Sequence, residues 1–449
     1  MSFSKMFSPQ RRGAHLLIRS AHVLDPRSGL DERRDILIRD GRIAELGPAG
    51  GLPAPGDVEL MDGSGKHAFP GFVDPHVHLR TPGQEYKEDI QSGTAAAAAG
   101  GFCAVIAMPN TDPVVDDAAI LGSLVERARA DARVPVGFLA SITRGLRGEE
   151  LTEMAALADL GALGFTDDGK PVRSAGMLRK ALAYQRLAGG VISLHEEDPE
   201  LSGDGAMHEG AVSARLGIAG IPSVSESTMI SRDAALAAYE NARVHIQHVS
   251  AAESVIALEQ AKSAGVAVSA EATPHHLTLT EDVVRTLDSR FKMNPPLRRE
   301  ADRRALVDAL RRGVIDCVAT DHAPHARHEK EVPFEEAAMG TTGLETAFAA
   351  LYTELVLPGE LDLEVVVERM SAGAALYGLP TPRIAPGEPA DLALIDLSAT
   401  VEVGAAGYVS RSENCCFHGR SLHGRVLVTL AGGAVAFREP ALVEAELAR

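Results

Sequence analysis

The sequence predicts an α/β protein with a central (β/α)8 barrel of the TIM type and a small β-sandwich domain formed from both chain termini. Two observations lead to this expectation. Eight short, nearly continuous apolar segments alternate with helix-like stretches along the middle of the chain, whereas the two ends alternate apolar and polar residues. Parallel strands buried on both faces have continuous apolar sequences, and half-exposed antiparallel strands have alternating ones.

The eight apolar segments define the barrel strands in chain order. They are 70–80, 101–108, 134–139, 162–166, 190–194, 243–247, 266–270 and 314–320. The stretches between them are rich in Ala, Leu, Arg and Glu, and they include 117–132, 174–187, 225–240, 252–264 and 299–312. Strands that alternate with helices in this way predict a parallel sheet with helical crossovers.

The chain ends predict the second domain. Residues from about 15 to 60 alternate around turn signals at 26–29 and 40–41, and the tail alternates in the same way at 390–397 and 422–430. Such alternation between turns is typical of short antiparallel strands. We therefore expect the two parts of the β-sandwich and the intervening barrel to have the bounds 1–68, 69–384 and 385–449.

Composition limits the classes of partner. The net charge of -18 argues against nucleic acid and anionic membrane surfaces as partners. No apolar run is long enough to cross a bilayer, and no apolar stretch follows the charges of the first dozen residues as it would in a signal peptide. The expectation is a cytoplasmic protein. A small anionic substrate would need a local positive site, which metal ions and an arginine could supply.

The most informative segment is the end of the first apolar run, where His76 and His78 stand one residue apart. Residues i and i+2 of a strand point to the same face, so the two imidazoles can ligate one transition-metal ion. Alone, such a pair is more often an incidental surface or core feature. Its significance comes from other His and Asp residues in the same setting.

Four further candidates follow the ends of later apolar runs, namely Asp168, His195, His248 and Asp321. Functional residues of a (β/α)8 barrel lie at the carboxyl ends of its strands, so these side chains should converge. Each alone could cap a helix or fill the core, but six at matching positions predict two metal ions joined by a carboxylate and a water. Such a site makes a nucleophilic hydroxide near neutral pH, and a nearby carboxylate can move the proton to a leaving nitrogen. These are the parts of a metal-dependent amide or cyclic-amide hydrolase.

Eight motifs carry these residues in order along the chain. Their sequences are DPHVHLR (74–80), AMPNT (107–111), FTDDG (165–169), HEE (195–197), QHVS (247–250), EATPHH (271–276), KMNPPLR (292–298) and ATDHAPH (319–325). Together they resemble the bacterial type I dihydroorotases of the amidohydrolase superfamily. The resemblance implies the reversible interconversion of N-carbamoyl-L-aspartate and L-dihydroorotate in pyrimidine (UMP) biosynthesis.

The resemblance also implies a site with two Zn²⁺ ions bridged by a hydroxide. The implied metal ligands are His76 and His78 for the first ion, His195 and His248 for the second, the bridging Asp168, and Asp321. By the same resemblance, Asp321 is also the catalytic general base and then acid. The implied substrate-binding residues are Arg80, Asn110, Asn294 and His325, with the backbone at Met339 and Gly340. The family usually has Pro-Phe before that glycine, where this chain has Ala338-Met339.

Several alternatives stay open at this point. Asp167 competes with Asp168 for the bridge, and Lys170 could provide the carbamylated lysine that many amidohydrolases use. A hydantoinase or allantoinase would share the barrel and the metals, and a non-catalytic homologue could act as a scaffold for aspartate carbamoyltransferase. The sequence decides neither whether that carbamoyltransferase is a partner nor whether the chain forms a homo-oligomer. We expect the long loop 323–343 beside Asp321 to close over the substrate.

Overall fold

The computed structural model describes residues 5–440. Within these residues the strands are β1 (Leu16–Asp25), β2 (Leu30–Arg39), β3 (Arg42–Pro48), β4 (Glu59–Asp62), β5 (His67–Pro70), β6 (Phe72–Val77), β7 (Phe102–Ala107), β8 (Val136–Ala140), β9 (Ala162–Phe165), β10 (Val191–Leu194), β11 (Met207–His208), β12 (Gly220–Ile221), β13 (Val244–Ile246), β14 (Val268–Ala272), β15 (Cys317–Val318), β16 (Leu392–Glu402), β17 (Ser421–Ala431) and β18 (Ala434–Arg438).

The same residues form helices of very different length. They are α1 (Ile90–Ala99), α2 (Ala118–Asp131), α3 (Met154–Leu160), α4 (Ala175–Ala188), α5 (Pro199–Ser202), α6 (Ala211–Leu216), α7 (Val224–Glu240), α8 (Ala252–Ser263), α9 (Pro274–Thr278), α10 (Glu300–Arg312), α11 (Arg327–Lys330), α12 (Ala347–Leu351), α13 (Leu363–Ser371) and α14 (Gly373–Leu376). Short 3-10 turns occur at Arg144–Leu146, Glu281–Thr286 and Ser289–Phe291, and a π-helical turn at Tyr352–Val356.

Eight parallel strands form a nearly closed barrel in the order β6, β7, β8, β9, β10, β13, β14, β15. Each of them falls on one of the eight apolar segments, so the predicted fold class is confirmed. The barrel interior and the inner faces of the surrounding helices share one hydrophobic core, in which Phe72, Phe102 and Phe165 are buried. The parallel order brings the carboxyl ends of all eight strands to one edge.

The barrel closes between its first and last strands. Val77 of β6 pairs with His322, just past β15, and the His78 N–H donates to the His322 carbonyl at 2.9 Å. Below this pair, the buried Asp74 carboxylate accepts from the Thr320 N–H at 3.1 Å and from the Thr320 hydroxyl. Burial raises the pKa of Asp74 to about 7 despite these bonds. These contacts between β6 and the segment after β15 form the seam of the barrel. They place the candidate ligands of the first and last strands side by side.

Side-chain caps fix where the barrel helices begin. Asp117 accepts from the N–H groups of the second and third residues of α2, and Ser174 accepts from the Met177 N–H in α4. The sequence prediction therefore began both helices one residue early, because it included the capping residue. At the other end, α10 stops at Gly313, whose φ of 76° is the left-handed conformation that ends many helices.

Strands from both chain ends form one mixed sheet beside the barrel, in the order β18-β17-β16-β5-β1-β2-β3 with β4 paired to β1. Strand β5 joins the two halves, since it runs parallel to β1 and antiparallel to β16. Ile18 and Ile36 from the first half pack in one cluster with Leu392 and Leu430 from the second. Strands from both termini therefore share one sheet and one core, as the sequence predicts, and we retain 1–68, 69–384 and 385–449 as proposed bounds.

Two tight turns lock the halves of this sheet together. Gly41 lies between β2 and β3, Gly433 lies between β17 and β18, and both have left-handed φ values, of 73° and 76°. A Cβ on Gly433 would lie 2.4 Å from the Gly41 carbonyl oxygen. The Gly433 carbonyl also accepts from the Ala14 N–H at 2.8 Å.

Within residues 5–440, no helix combines the length and apolarity needed to cross a membrane.

We predict that Gly433→Ala destabilises the protein more than Gly432→Ala does. Both glycines have positive φ, which costs an alanine about 1–2 kcal/mol. A Cβ on Gly432 would meet its nearest neighbour, Pro135 Cγ, at an ordinary 3.7 Å, whereas one on Gly433 would collide with backbone. The collision should add roughly 1–3 kcal/mol. Urea unfolding followed by circular dichroism checks the order, and equal midpoints for the two variants would contradict it.

Candidate metal centre

Asp168 lies at the centre of a buried cluster of imidazoles at the carboxyl edge of the barrel. Its Oδ1 is 3.5 Å from His76 Nε2, 3.7 Å from His195 Nδ1 and 3.8 Å from His248 Nε2. Its Oδ2 is 3.6 Å from His78 Nε2. Burial would raise the pKa of Asp168, but the rings of His76, His248 and His78 hold it well below its usual value. The carboxylate is therefore anionic and faces four imidazoles.

These side chains form two groups of three that share Asp168. One group is His76, His78 and Asp168, the other is Asp168, His195 and His248, and within each group the ligand atoms lie within 4.8 Å of one another. Imidazole nitrogens with a carboxylate oxygen are a donor set that suits zinc and other divalent first-row metals. Among the described residues 5–440, His76 Nε2 is buried and has no hydrogen-bond partner, as expected of an atom that binds a metal. The donors therefore fit metal ions.

Asp321 lies against the first of these groups. Its Oδ1 is 3.0 Å from His78 Nε2 and 3.5 Å from His76 Nε2. Burial acts to raise the pKa of Asp321, but the neighbouring His76 and His78 rings lower it well below its usual value. An ionised carboxylate in this position can accept a proton from a group bound between the rings.

Strained backbone marks three of the strand ends. Arg80, His248 and Asp321 have φ values of 56°, 32° and 46°, in the left-handed region that residues with a Cβ rarely adopt. Each such residue costs about 1–2 kcal/mol, and this kind of strain is concentrated at functional sites. Each of the three residues follows the end of a barrel strand, at the carboxyl edge where the cluster lies.

Glu271 lies behind the first metal group, and sequence reasoning gave it no role. One carboxylate oxygen accepts from His76 Nδ1 at 2.6 Å and from the His248 N–H at 3.2 Å, and the other lies 3.0 Å from His245 Nε2. Burial opposes ionisation, but His76 and His245 lower the pKa of Glu271 to about 2. A carboxylate in this position fixes the ring of His76 with Nε2 toward the cluster. The signal in the sequence was a glutamate inside an otherwise apolar strand.

The residues after the fourth barrel strand point in different directions. The Asp167 carboxylate accepts from the N–H groups of Ile142 at 2.8 Å and Thr143 at 3.0 Å, so it supports a neighbouring loop. Lys170 is exposed. Asp168 alone of these three faces the histidines.

Both asparagines predicted to bind substrate contact the cluster or its supports. Asn110 accepts from His78 Nδ1 at 2.9 Å and donates to the shared carboxylate at 3.0 Å. Asn294 donates to Glu197 at 2.6 Å, and the same Glu197 oxygen lies 3.2 Å from His195 Nε2. Burial would raise the pKa of Glu197, but His195 and Asn294 lower it to about 2. Sequence reasoning missed Glu197 as a contact of this kind.

The remaining predicted substrate residues meet at one side of the mouth. Arg80 is 8% exposed, its Nε donates to the Pro324 carbonyl at 3.2 Å, and its Nη2 lies 3.5 Å from His325 Nε2. His325 Nε2 in turn donates to the Met339 carbonyl at 2.9 Å. Gly340 has no room for a side chain, because a Cβ would lie 2.7 Å from Ala323 Cβ and 3.0 Å from that same nitrogen. The structure therefore brings these four residues (Arg80, His325, Met339 and Gly340) together beside the His/Asp cluster.

A barrel with buried His and Asp side chains converging at its carboxyl edge defines a metal-dependent hydrolase of the amidohydrolase type. Comparisons with known proteins narrow the class. A family model described as dihydro-orotase-like matches residues 65–254. A dihydroorotase of Anaeromyxobacter dehalogenans is 45% identical over 427 residues, covering 94% of this chain and 98% of that protein. One of Pelotomaculum thermopropionicum is 44% identical over 425 residues, covering 94% and 99%. The chain belongs to the dihydroorotase family.

Solved structures extend the likeness to neighbouring enzymes. An L-hydantoinase (dihydropyrimidinase) from Arthrobacter aurescens superposes with a TM-score of 0.83 at 26% identity and covers 94% of this chain and 96% of its own. A dihydropyrimidinase from Brevibacillus agri has a TM-score of 0.81 at 23% identity and covers 94% and 95%. At 23% identity, the similarity to the Brevibacillus agri structure shows a shared fold and nothing more.

We predict that Asp168→Asn and Asp167→Asn differ sharply in metal content. Both carboxylates are buried, but only Asp168 faces the histidines. Removing its charge should weaken metal binding by about 10–100-fold or more. Metal per chain after dialysis, measured by plasma mass spectrometry, should fall in Asp168→Asn. It should stay at the wild-type value in Asp167→Asn and in Lys170→Ala. Full metal content in Asp168→Asn would refute its assignment.

Proposed function

We propose that this chain catalyses the reversible interconversion of N-carbamoyl-L-aspartate and L-dihydroorotate. The observation that carries the proposal is the position of Arg80, whose buried guanidinium lies at the same mouth as the His/Asp cluster. A substrate with one reacting amide and one carboxylate suits a site with metal ligands on one side and a fixed cation on the other. The 45% identity to a protein named dihydroorotase supports the same substrate.

We propose two Zn²⁺ ions as the metals. His76 and His78 would hold one ion, His195 and His248 the other, with Asp168 between them and Asp321 touching the first group. When bound, these ions lower the pKa of a coordinated water and polarise the ring carbonyl. The protein contributes the orientation of the ligands, for example through the Glu271 contact to His76.

Asp321 is the group proposed to move the proton. In the hydrolytic direction its carboxylate takes a proton from the attacking water and delivers it to the ring nitrogen as the amide bond breaks. In the biosynthetic direction the same carboxylate takes a proton from the attacking carbamoyl nitrogen and delivers it to the carboxyl oxygen that leaves as water when the ring closes. Although burial acts to raise its pKa, the His76 and His78 rings lower it and keep the carboxylate ionised, as a base requires, and its Oδ1 lies 3.0 Å from His78 Nε2.

The substrate carboxylate is assigned to Arg80, Asn110 and His325, and the pyrimidine ring to Asn294 and the backbone at Met339 and Gly340. A guanidinium can bind a carboxylate through two parallel charge-assisted hydrogen bonds. Asn110 already donates to Asp168, so it would connect the bound carboxylate to the metal ligands. The closure of loop 323–343, a cytoplasmic location, a homo-oligomer and an aspartate carbamoyltransferase partner stay predictions.

A hydantoinase-type cyclic amidohydrolase is the second candidate, because the Arthrobacter aurescens structure covers 94% of this chain with a TM-score of 0.83. Hydantoin and allantoin lack the free carboxylate for which Arg80 is proposed. We therefore expect turnover of dihydroorotate by the zinc-loaded protein and little or none of hydantoin or allantoin. Faster hydrolysis of either competitor would favour the second candidate, and metal-loaded protein inactive on all three would favour the non-catalytic scaffold.

We predict a division of labour between Asp321 and Arg80. Asp321→Asn should lower kcat by roughly 10²–10⁴-fold at saturating dihydroorotate, because the proton carrier is lost. Arg80→Met should chiefly raise KM, by the equivalent of about 2–5 kcal/mol, because the carboxylate is unchanged as the ring opens and its binding is felt equally in ground and transition states. Steady-state kinetics at matched metal content measures both. Normal KM in Arg80→Met, or near-normal kcat in Asp321→Asn, would contradict the assignment.

A further inference from the structure

Loop 323–343 contains a buried lysine that the proposed mechanism does not use. Lys330 ends the short helix α11 and is 5% exposed. Its Nζ donates to three backbone carbonyls, those of Ala338 at 2.8 Å, Gly340 at 3.0 Å and Lys292 at 3.2 Å. An ammonium group has three donors, so this carbonyl cage satisfies all of them.

The hydrogen bonds of this amine go to backbone carbonyls and not to a carboxylate. Within residues 5–440, the ion pairs closer than 4.0 Å do not include Lys330, although Lys87 in the facing segment pairs with Glu329 at 2.7 Å. Burial and then the charge of Lys292 lower the pKa of Lys330 to about 7. Burying an amine in this way costs free energy. A burial of this kind is often found at functional sites, so the position of the three carbonyl acceptors is informative.

The three acceptors belong to two segments that carry proposed substrate contacts. Ala338 and Gly340 flank Met339, whose carbonyl accepts from His325 Nε2 at 2.9 Å. The Lys292 carbonyl accepts from the Gly340 N–H at 2.9 Å as well as from the cage amine. Lys292 is two residues before Asn294, which is proposed to bind the substrate ring, so one amine connects the segment 292–294 to the segment 338–340.

The opposite side of the loop is fixed by Asn414 from the C-terminal part of the chain. Its Nδ2 donates to the carbonyls of Ala323 at 3.0 Å and Gly340 at 3.1 Å, and its Oδ1 accepts from the His325 N–H at 3.0 Å. The Gly340 carbonyl oxygen therefore accepts from both Asn414 and Lys330. The backbone of Asn414 accepts from Thr341 as well, which anchors it to the same loop.

We propose that Lys330 is a positioning residue for substrate binding. Its ammonium group sets the peptide groups on both sides of Met339, and thereby the ring of His325, at the distance from Arg80 that a substrate carboxylate needs. The substrate named in this inference depends on the proposed function. The geometry of the carbonyl cage does not depend on it.

Lys330→Met tests the proposal, because it keeps the bulk of the chain and removes all three donors. We expect KM for dihydroorotate to rise about ten-fold or more, kcat to change less than about three-fold, and bound metal to stay unchanged. Lys330→Arg, which keeps a charge and donors, should recover part of the affinity. The control is Lys180→Met, at an exposed position of α4, which should match the wild type.

Amide hydrogen exchange provides a second readout that needs no substrate. Exchange in peptides from 323–343 should be faster in Lys330→Met than in the wild type, and exchange in the barrel strands should be the same. Unchanged exchange or unchanged KM overturns the proposal, as does a joint loss of kcat and metal, which would indicate a general folding role. If the wild type does not turn over dihydroorotate, the proposed function fails, while the exchange result still decides whether the cage holds the loop.

Discussion

The site depends on one buried carboxylate, that of Asp168, held among four imidazoles. An isolated carboxylate in such a position would be neutral, because burial strongly disfavours its charge. The surrounding rings reverse that tendency and keep the pKa of Asp168 low. Conversely, the rings of His76 and His195 have raised pKa values even though burial lowers them, because carboxylates face them. The charges of Asp168, His76 and His195 therefore stabilise one another against the cost of burial.

That mutual arrangement requires an accurate strand register. His76 lies in β6 and His78 directly follows its last residue, and both lie within 3.5 Å of the Asp321 carboxylate because the first and last barrel strands are paired beside them. The Asp74 carboxylate bonds Thr320 across that seam. A slip of one residue would turn the two histidines to the opposite face. The buried polar groups of the barrel thus determine the geometry of the cluster rather than the overall fold.

Much of this could be predicted from the sequence, and the reason is physical. Continuous apolar segments locate the barrel strands, and a closed parallel sheet brings their carboxyl ends together, so ligands distant in sequence could be grouped without coordinates. The apolar pattern does not predict which of two adjacent side chains faces the cluster. Asp167 and Asp168 are neighbours, and only the contacts of Asp167 with Ile142 and Thr143 separate their roles.

Other features left no periodic signal. Helix α1 was not singled out, because its run of alanines around Gly93 has no clear polar face. The pairing of Glu271 with His76 and His245 joins three different strands, which a single sequence does not align. Contacts across the domains are harder still: Asn414 reaches the barrel mouth from a segment beyond the last barrel helix, and nothing in its local sequence indicates this.

The two halves of the site are supported in different ways. The proposed metal ligands lie at strand ends and are oriented by groups of the barrel itself, such as the buried Glu271 and the half-buried Asn110. The proposed substrate contacts at His325 and Gly340 lie on a long loop that is held by Asn414 from the terminal domain. A barrel of this kind can keep its hydrolytic chemistry while loops change what it binds. An L-hydantoinase superposes on this chain with a TM-score of 0.83 at only 26% identity, so the fold tolerates wide sequence change, and we expect a difference in substrate to arise from side chains such as those on this loop.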